Sequence, residues 1–219
     1  MTRGPEPLEA PPVDVLDRVT AARLVPVVVL DDAAAAGPLA DALVAGGLPV
    51  AEVTFRTPAA ADAVRAMADH GGVLVGAGTV LTPAQVDRAV AAGAAFVVSP
   101  GLDRAVVERC REHGVAVLPG AVTATEVQAA LALGLSTVKF FPAATSGGPA
   151  AVRALSAPFA DVRFVPTGGI GPDDLGRWLE VPSVLAVGGS WMVPRERIAA
   201  GDFDAVRELT ARAVVLAAR

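Results

Sequence analysis

One lysine stands among the eighteen basic residues of this 219-residue chain, at position 139. It lies in Thr137-Val138-Lys139-Phe140-Phe141-Pro142, a β-branched and aromatic run. A composition that otherwise chooses arginine keeps an amine here. Once desolvated, an amine loses its proton and condenses with a carbonyl, which a guanidinium does not do. Val138, Phe140, Phe141 and Pro142 supply apolar surroundings that favour the neutral form. A second stretch with chemical content is Glu52-Val53-Thr54-Phe55-Arg56. Strand alternation puts Glu52, Thr54 and Arg56 on one face, and an acid within an apolar strand has to be paired, hydrated or catalytic. Two readings are open. Glu52 and Arg56 form a structural ion pair, or Glu52 is a general acid/base near the amine and Arg56 clamps a substrate carboxylate.

Paired glycines supply the third feature, in Pro166-Thr167-Gly168-Gly169-Ile170 and in Val187-Gly188-Gly189-Ser190. Glycine pairs at strand ends present backbone N–H groups to phosphate. Neither loop holds Lys or Arg, so binding there would rest on amides, helix N-termini and Ser190; the plain alternative is a pair of turns. Gly76-Ala77-Gly78-Thr79, Ser99-Pro100-Gly101 and Pro119-Gly120 are weaker signals, because tight turns explain them as well. An amine, a carboxylate and a phosphate cradle at one mouth suggest an imine-forming enzyme acting on a phosphorylated keto substrate.

These groups need a scaffold that brings distant strand ends together. Short runs rich in Val, Ile, Leu or Phe alternate with Ala-rich amphipathic runs. The pattern predicts strands over Val25–Leu30, Val50–Phe55, Val73–Ala77, Ala95–Ser99, Val115–Leu118, Ser136–Phe140, Arg163–Pro166 and Val184–Val187. Helices are expected near Ala33–Ala45, Pro58–His70, Pro83–Ala92, Asp103–His113, Thr125–Leu133, Gly148–Ala157 and Pro172–Glu180, several opened by a cap such as Thr57-Pro58 or Thr82-Pro83. A leading helix (Pro12–Arg23) and a last one (Asp204–Ala218) would cover the ends. Eight βα units point to a (β/α)8 TIM barrel with an extra N-terminal helix, its function at the C-terminal ends of the strands. The rival, an open doubly wound sheet, needs a glycine-rich loop after strand one, where this chain has Asp31-Asp32-Ala33. One barrel domain over 13–219 is expected, behind a disordered Pro-rich leader over 1–12.

Composition narrows the function further. Hydrophobic residues make up 53%, but no apolar run reaches the roughly 18 residues of a membrane span. The leader has no apolar core, so no secretory signal is visible. A net charge of −5 with scattered arginines gives no basic stripe for nucleic acid. Cys110 is the one cysteine, placed for packing within a helix, and a reducing cytoplasm fits. His70 and His113 each precede a glycine at a helix end, in no metal-ligand spacing. There is no tyrosine to serve as a phenolic acid or base.

Six segments taken in order resemble the bacterial 2-keto-3-deoxy-6-phosphogluconate (KDPG) aldolases of the Entner–Doudoroff pathway, a class I family. They are Glu52-Val53-Thr54-Phe55-Arg56-Thr57, Gly76-Ala77-Gly78-Thr79-Val80, Ser99-Pro100-Gly101, Lys139-Phe140-Phe141-Pro142-Ala143, Pro166-Thr167-Gly168-Gly169-Ile170 and Gly188-Gly189-Ser190-Trp191. The resemblance implies that Lys139 is the Schiff-base lysine and Glu52 the acid/base. It implies that Arg56, Thr79, Pro100 and Phe141 line the pyruvate end, and Gly168, Gly169, Gly188, Gly189 and Ser190 the phosphate end, with Thr167 between. It also implies a cytoplasmic homotrimer working without a metal or organic cofactor. The sister activities on the 6-phosphogalactonate epimer and on 4-hydroxy-2-oxoglutarate share this chemistry and stay open. So do a non-catalytic phosphosugar-binding barrel and, more remotely, a pyridoxal-phosphate enzyme.

Overall fold

The computed structural model describes residues 13–218, so the leader over 1–12 lies outside the described residues. The fold is α/β. Among the described residues eight strands occur, β1 (Leu24–Val28), β2 (Val50–Thr54), β3 (Leu74–Gly78), β4 (Phe96–Val98), β5 (Ala116–Leu118), β6 (Thr137–Phe140), β7 (Arg163–Pro166) and β8 (Val187–Gly189). Six form a curled parallel sheet in the order β5-β4-β3-β2-β1-β8, and β6 pairs with β7 in a second parallel sheet. Single parallel bridges link the two sheets, Gly120 to Lys139 on one side and both Phe164 to Val184 and Thr167 to Gly188 on the other. Strands buried on both faces need apolar residues on both; all five residues of β2 are buried, Glu52 and Thr54 among them.

Helices α1 (Val13–Ala21), α2 (Ala36–Ala45), α3 (Ala60–His70), α4 (Pro83–Ala91), α5 (Arg104–Glu112), α6 (Ala124–Ala132), α7 (Gly148–Ser156), α8 (Leu175–Leu179), α9 (Arg195–Ala199) and α10 (Phe203–Ala217) pack around the strands. Their start signals are local. Thr82 accepts from the Gln85 N–H with Pro83 in the first turn, Asp103 accepts from Val106, and Thr123 with Glu126 completes a capping box. Thr57 is different: its hydroxyl donates to the Leu30 carbonyl across to the β1 exit, and α3 begins only at Ala60, without a side-chain cap. Likewise Asp174 accepts from the Gly171 N–H, closing a turn, so α8 starts at Leu175 and not at Pro172.

Strand eight also departs from the sequence pattern. The apolar run Val184–Val187 suggested the strand, but the ladder with β1 pairs Leu24 with Val187, Val25 with Gly188 and Pro26 with Gly189. Both glycines are therefore buried strand residues, not loop. Thr167 and Trp191 explain why glycine is needed there: a methyl group at Gly188 would overlap the Thr167 hydroxyl, and one at Gly189 would overlap the Trp191 ring.

Candidate active site

Lys139 and Glu52 come from strands that are not neighbours in either sheet, and their side chains meet between them. Nζ lies 3.1 Å from Glu52 Oε1, with side-chain exposures of 6% and 3%. The pairing removes the Glu52–Arg56 ion pair: the partner of Glu52 is the amine, and Arg56 is an exposed side chain past the end of β2. Lys139 is fixed by its backbone on β5's side, its N–H donating to the Pro119 carbonyl and its C=O accepting from the Ala121 N–H, both at 2.8 Å. Phe141, two residues on, places its ring centroid 5.2 Å from Nζ, where the π face attracts a cationic amine or iminium. The Phe141–Pro142 peptide is cis.

Glu52 needs room, and β3 provides it. Gly78 stands where a methyl group would overlap both Oε1 and Cγ of Glu52, so the absent side chain is the space the carboxylate occupies. The sequence marked Gly78 only as a weak signal that a tight turn explains equally well; its register with Thr54, which sets it against Glu52, comes from the fold. Thr79 follows in the left-handed region at φ 56°, unusual for a β-branched residue and a form of strain that clusters at working sites. The turn holding Pro100 lies against the neighbouring strand end, its carbonyl over Gly120, which bridges to Lys139.

The loop after β7 is held to the loop after β6. Ala143 donates to the Thr167 carbonyl and Ala144 to the Gly168 carbonyl, at 2.8 and 3.0 Å. Gly168 and Gly169 both take positive φ, 100° and 73°. Among the described residues the N–H groups of Gly168, Gly169 and Ile170 have no protein acceptor. Successive free amides around left-handed residues make an anion-binding concavity. Gly168 also packs against Phe141, so this nest and the amine share one aromatic ring as a wall.

Arg56 and Ser190 meet in a different way. Both line a cavity of about 450 Å³ with Val27, Val29, Trp191 and Arg195. Arg195 was not foreseen. It grips Asp31 with two hydrogen bonds, Nε to Oδ2 at 2.7 Å and Nη2 to Oδ1 at 2.6 Å, holding the Asp31 carboxyl below its ordinary range. Cys110 lies away from all of this, fully buried on α5, where burial pushes its thiol up to about 12.

Fold and site together are those of an aldolase, a carbon–carbon lyase. The chain belongs to the KDPG and KHG aldolase family, whose model matches residues 15–209. It is 52% identical over 198 residues to a 2-dehydro-3-deoxy-phosphogluconate aldolase of Treponema pallidum, covering 90% of this chain and 93% of that one. Among solved structures it is similar to the KDPG aldolase of Zymomonas mobilis with 3-phosphoglycerate (44% identity, TM-score 0.86, 93% and 96% of the two chains). It is also similar to the KDPG aldolase of Legionella pneumophila with pyruvate captured as a covalent carbinolamine (40% identity, TM-score 0.86, 89% and 95%).

Proposed function

We propose that the chain cleaves 2-dehydro-3-deoxy-6-phosphogluconate to pyruvate and D-glyceraldehyde 3-phosphate through an imine on Lys139. The observation that carries this reading is the buried amine 3.1 Å from a buried carboxylate, beneath an aromatic ring. Lys139 attacks the C2 ketone, and Glu52 shuttles the protons that turn the carbinolamine into the imine and release water. The protonated imine withdraws electrons from C3. Glu52 then takes the proton of the C4 hydroxyl, the C3–C4 bond breaks, and its electron pair forms the enamine as the aldehyde leaves. Protonation of the enamine and hydrolysis release pyruvate and restore the amine. The pyruvate carbinolamine captured in the Legionella relative corresponds to the last covalent species of this sequence, formed when water adds to the pyruvate imine and before pyruvate leaves.

In this reading Arg56, Thr79, Pro100 and Phe141 line the pyruvate end. The phosphate end takes the free amides of Gly168 and Gly169 and the Ser190 hydroxyl, with Thr167, Gly188 and Gly189 shaping the wall behind them. Eight strands bridged as described act as one (β/α)8 barrel over 13–219, with α1 at its N-terminal side. The working form is a cytoplasmic homotrimer, which light scattering checks. The family model also covers KHG aldolases, which favours 4-hydroxy-2-oxoglutarate as a second substrate.

Borohydride reduction with pyruvate, followed by intact-mass and peptide analysis, tests the mechanism. One reduced pyruvyl adduct on Lys139 is the expected result, and folded protein without an adduct overturns it. Glu52→Gln should still form the pyruvate adduct while turnover falls by about 10²–10⁴-fold; normal turnover in that variant removes the acid/base role.

A further inference from the structure

The glycine loops contain no cation, yet the cavity beside Ser190 is lined by two, Arg56 and Arg195. Arg56 stands at the end of β2, the strand that carries Glu52, and is assigned above to the pyruvate carboxylate. Arg195 stands five residues beyond Ser190, at the start of α9, and lines the same cavity. Resting on the aldolase reading, we infer that Arg195 is a specificity residue that reads the anionic far end of the substrate and selects phosphorylated over unphosphorylated keto acids.

The geometry supports this in three ways. Ser190 is exposed while Gly188 and Gly189 on its N-terminal side are buried, so the chain turns its hydroxyl out into the space that Arg195 also borders. The guanidinium is oriented in advance: Asp31, at the exit of β1, engages Nε and Nη2 and leaves the other N–H groups of the five available. An arginine held in one geometry loses less freedom on meeting a phosphate, and its planar fork suits that group. Finally, Asp31 and Glu196 set two carboxylates against the two arginines, and Glu196 lines the cavity itself. They keep the cavity lining close to neutral and repel an anion that is not seated on the Arg195 fork, which sharpens selection.

A strap that merely joins the β1 and β8 exits would use the same ion pair, so the test separates cation from strap. kcat and KM are measured for 2-keto-3-deoxy-6-phosphogluconate and for unphosphorylated 2-keto-3-deoxygluconate, in the native chain and three variants. Arg195→Gln should raise KM for the phosphorylated substrate about 10-fold, with kcat and the unphosphorylated substrate changed less than about twofold. Glu196→Gln should move KM for the phosphorylated substrate the opposite way, down about threefold at low salt and less at high salt. Asp31→Asn breaks the same ion pair but keeps the cation, so KM for the phosphorylated substrate should rise well short of 10-fold; a rise equal to that of Arg195→Gln, in both substrates, marks a strap and overturns the inference. Equal effects of Arg195→Gln on the two substrates, or no effect, overturn the inference. A native chain without a reducible pyruvate adduct overturns the aldolase reading itself, and this assignment falls with it.

Discussion

Two ion-paired regions of the molecule are built on opposite terms. Inside, Lys139 and Glu52 have each other as ionic partners and are almost wholly shielded from water. On the outer layer, Asp87 of α4 accepts from Arg109 Nε at 2.6 Å and contacts His113 Nε2 at 2.7 Å, while Arg109 also reaches Glu112, all partly open to solvent. The outer cluster shares charge among several groups: Arg109, then His113, hold the Asp87 carboxyl below its ordinary range. Solvent and salt weaken such pairs, so they join α4 to α5 at little cost and with little gain. The inner pair carries the opposite balance. Two charges removed from water gain little net stability over a well-packed apolar pair of the same size. In the proposed mechanism that expense serves the imine chemistry, in which the outer cluster has no part.

The comparison breaks most directly at the amine. Lys139→Arg keeps a cation beside Glu52 but removes the nucleophile, and aldol cleavage should fall on the order of 10⁴-fold or more in a steady-state assay. Survival of activity would reduce the inner pair to another structural bridge. Gly78→Ala forces a methyl group into the Glu52 carboxylate. It should cost about 1–3 kcal/mol by denaturant titration and displace the acid enough to lower kcat at least about 10-fold.

The outer layer should respond in stability alone. Thr210 of α10 is fully buried against Gly46, and its hydroxyl has no partner among the described residues. Thr210→Val removes that orphan at nearly constant shape and should raise stability by about 1 kcal/mol with turnover unchanged. Asp87→Asn should be the mildest. Because Arg109 and His113 hold the folded carboxyl below the ordinary aspartate value, its contribution is complete above that value and is lost as pH falls through the folded value. The Tm difference between native and variant should thus be small at pH 7 and 5 and shrink only as pH falls below the ordinary aspartate range, with kcat/KM unaltered.

Much of this was legible from local signals. The lone lysine in an apolar run, the acid within a strand pattern and the Gly168-Gly169 pair after β7 stand out within a few residues of sequence. Strand β8 was misplaced by three residues because Val184–Val187 has the better apolar pattern, whereas pairing with β1 and the bulk of Thr167 and Trp191 select the glycines. Helix α9 was missed since five residues give too little periodicity to read. The Asp31–Arg195 grip spans 164 positions, and Gly78 owes its identity to a side chain on another strand. No local pattern encodes either one, because both depend on which strand ends the fold sets side by side.

Trp191, folded over Gly189 at the cavity wall, gives the chain an optical property. Without tyrosine, ultraviolet emission comes from two indoles. Trp178 is sealed in the core with its N–H near Asp174, and so supplies a constant background. Trp191 is half-buried beside Ser190 and Arg195, and its brightness and colour follow the polarity of whatever fills that space. The molecule thus has its own fluorescent gauge of occupancy, read without label or coupling enzyme.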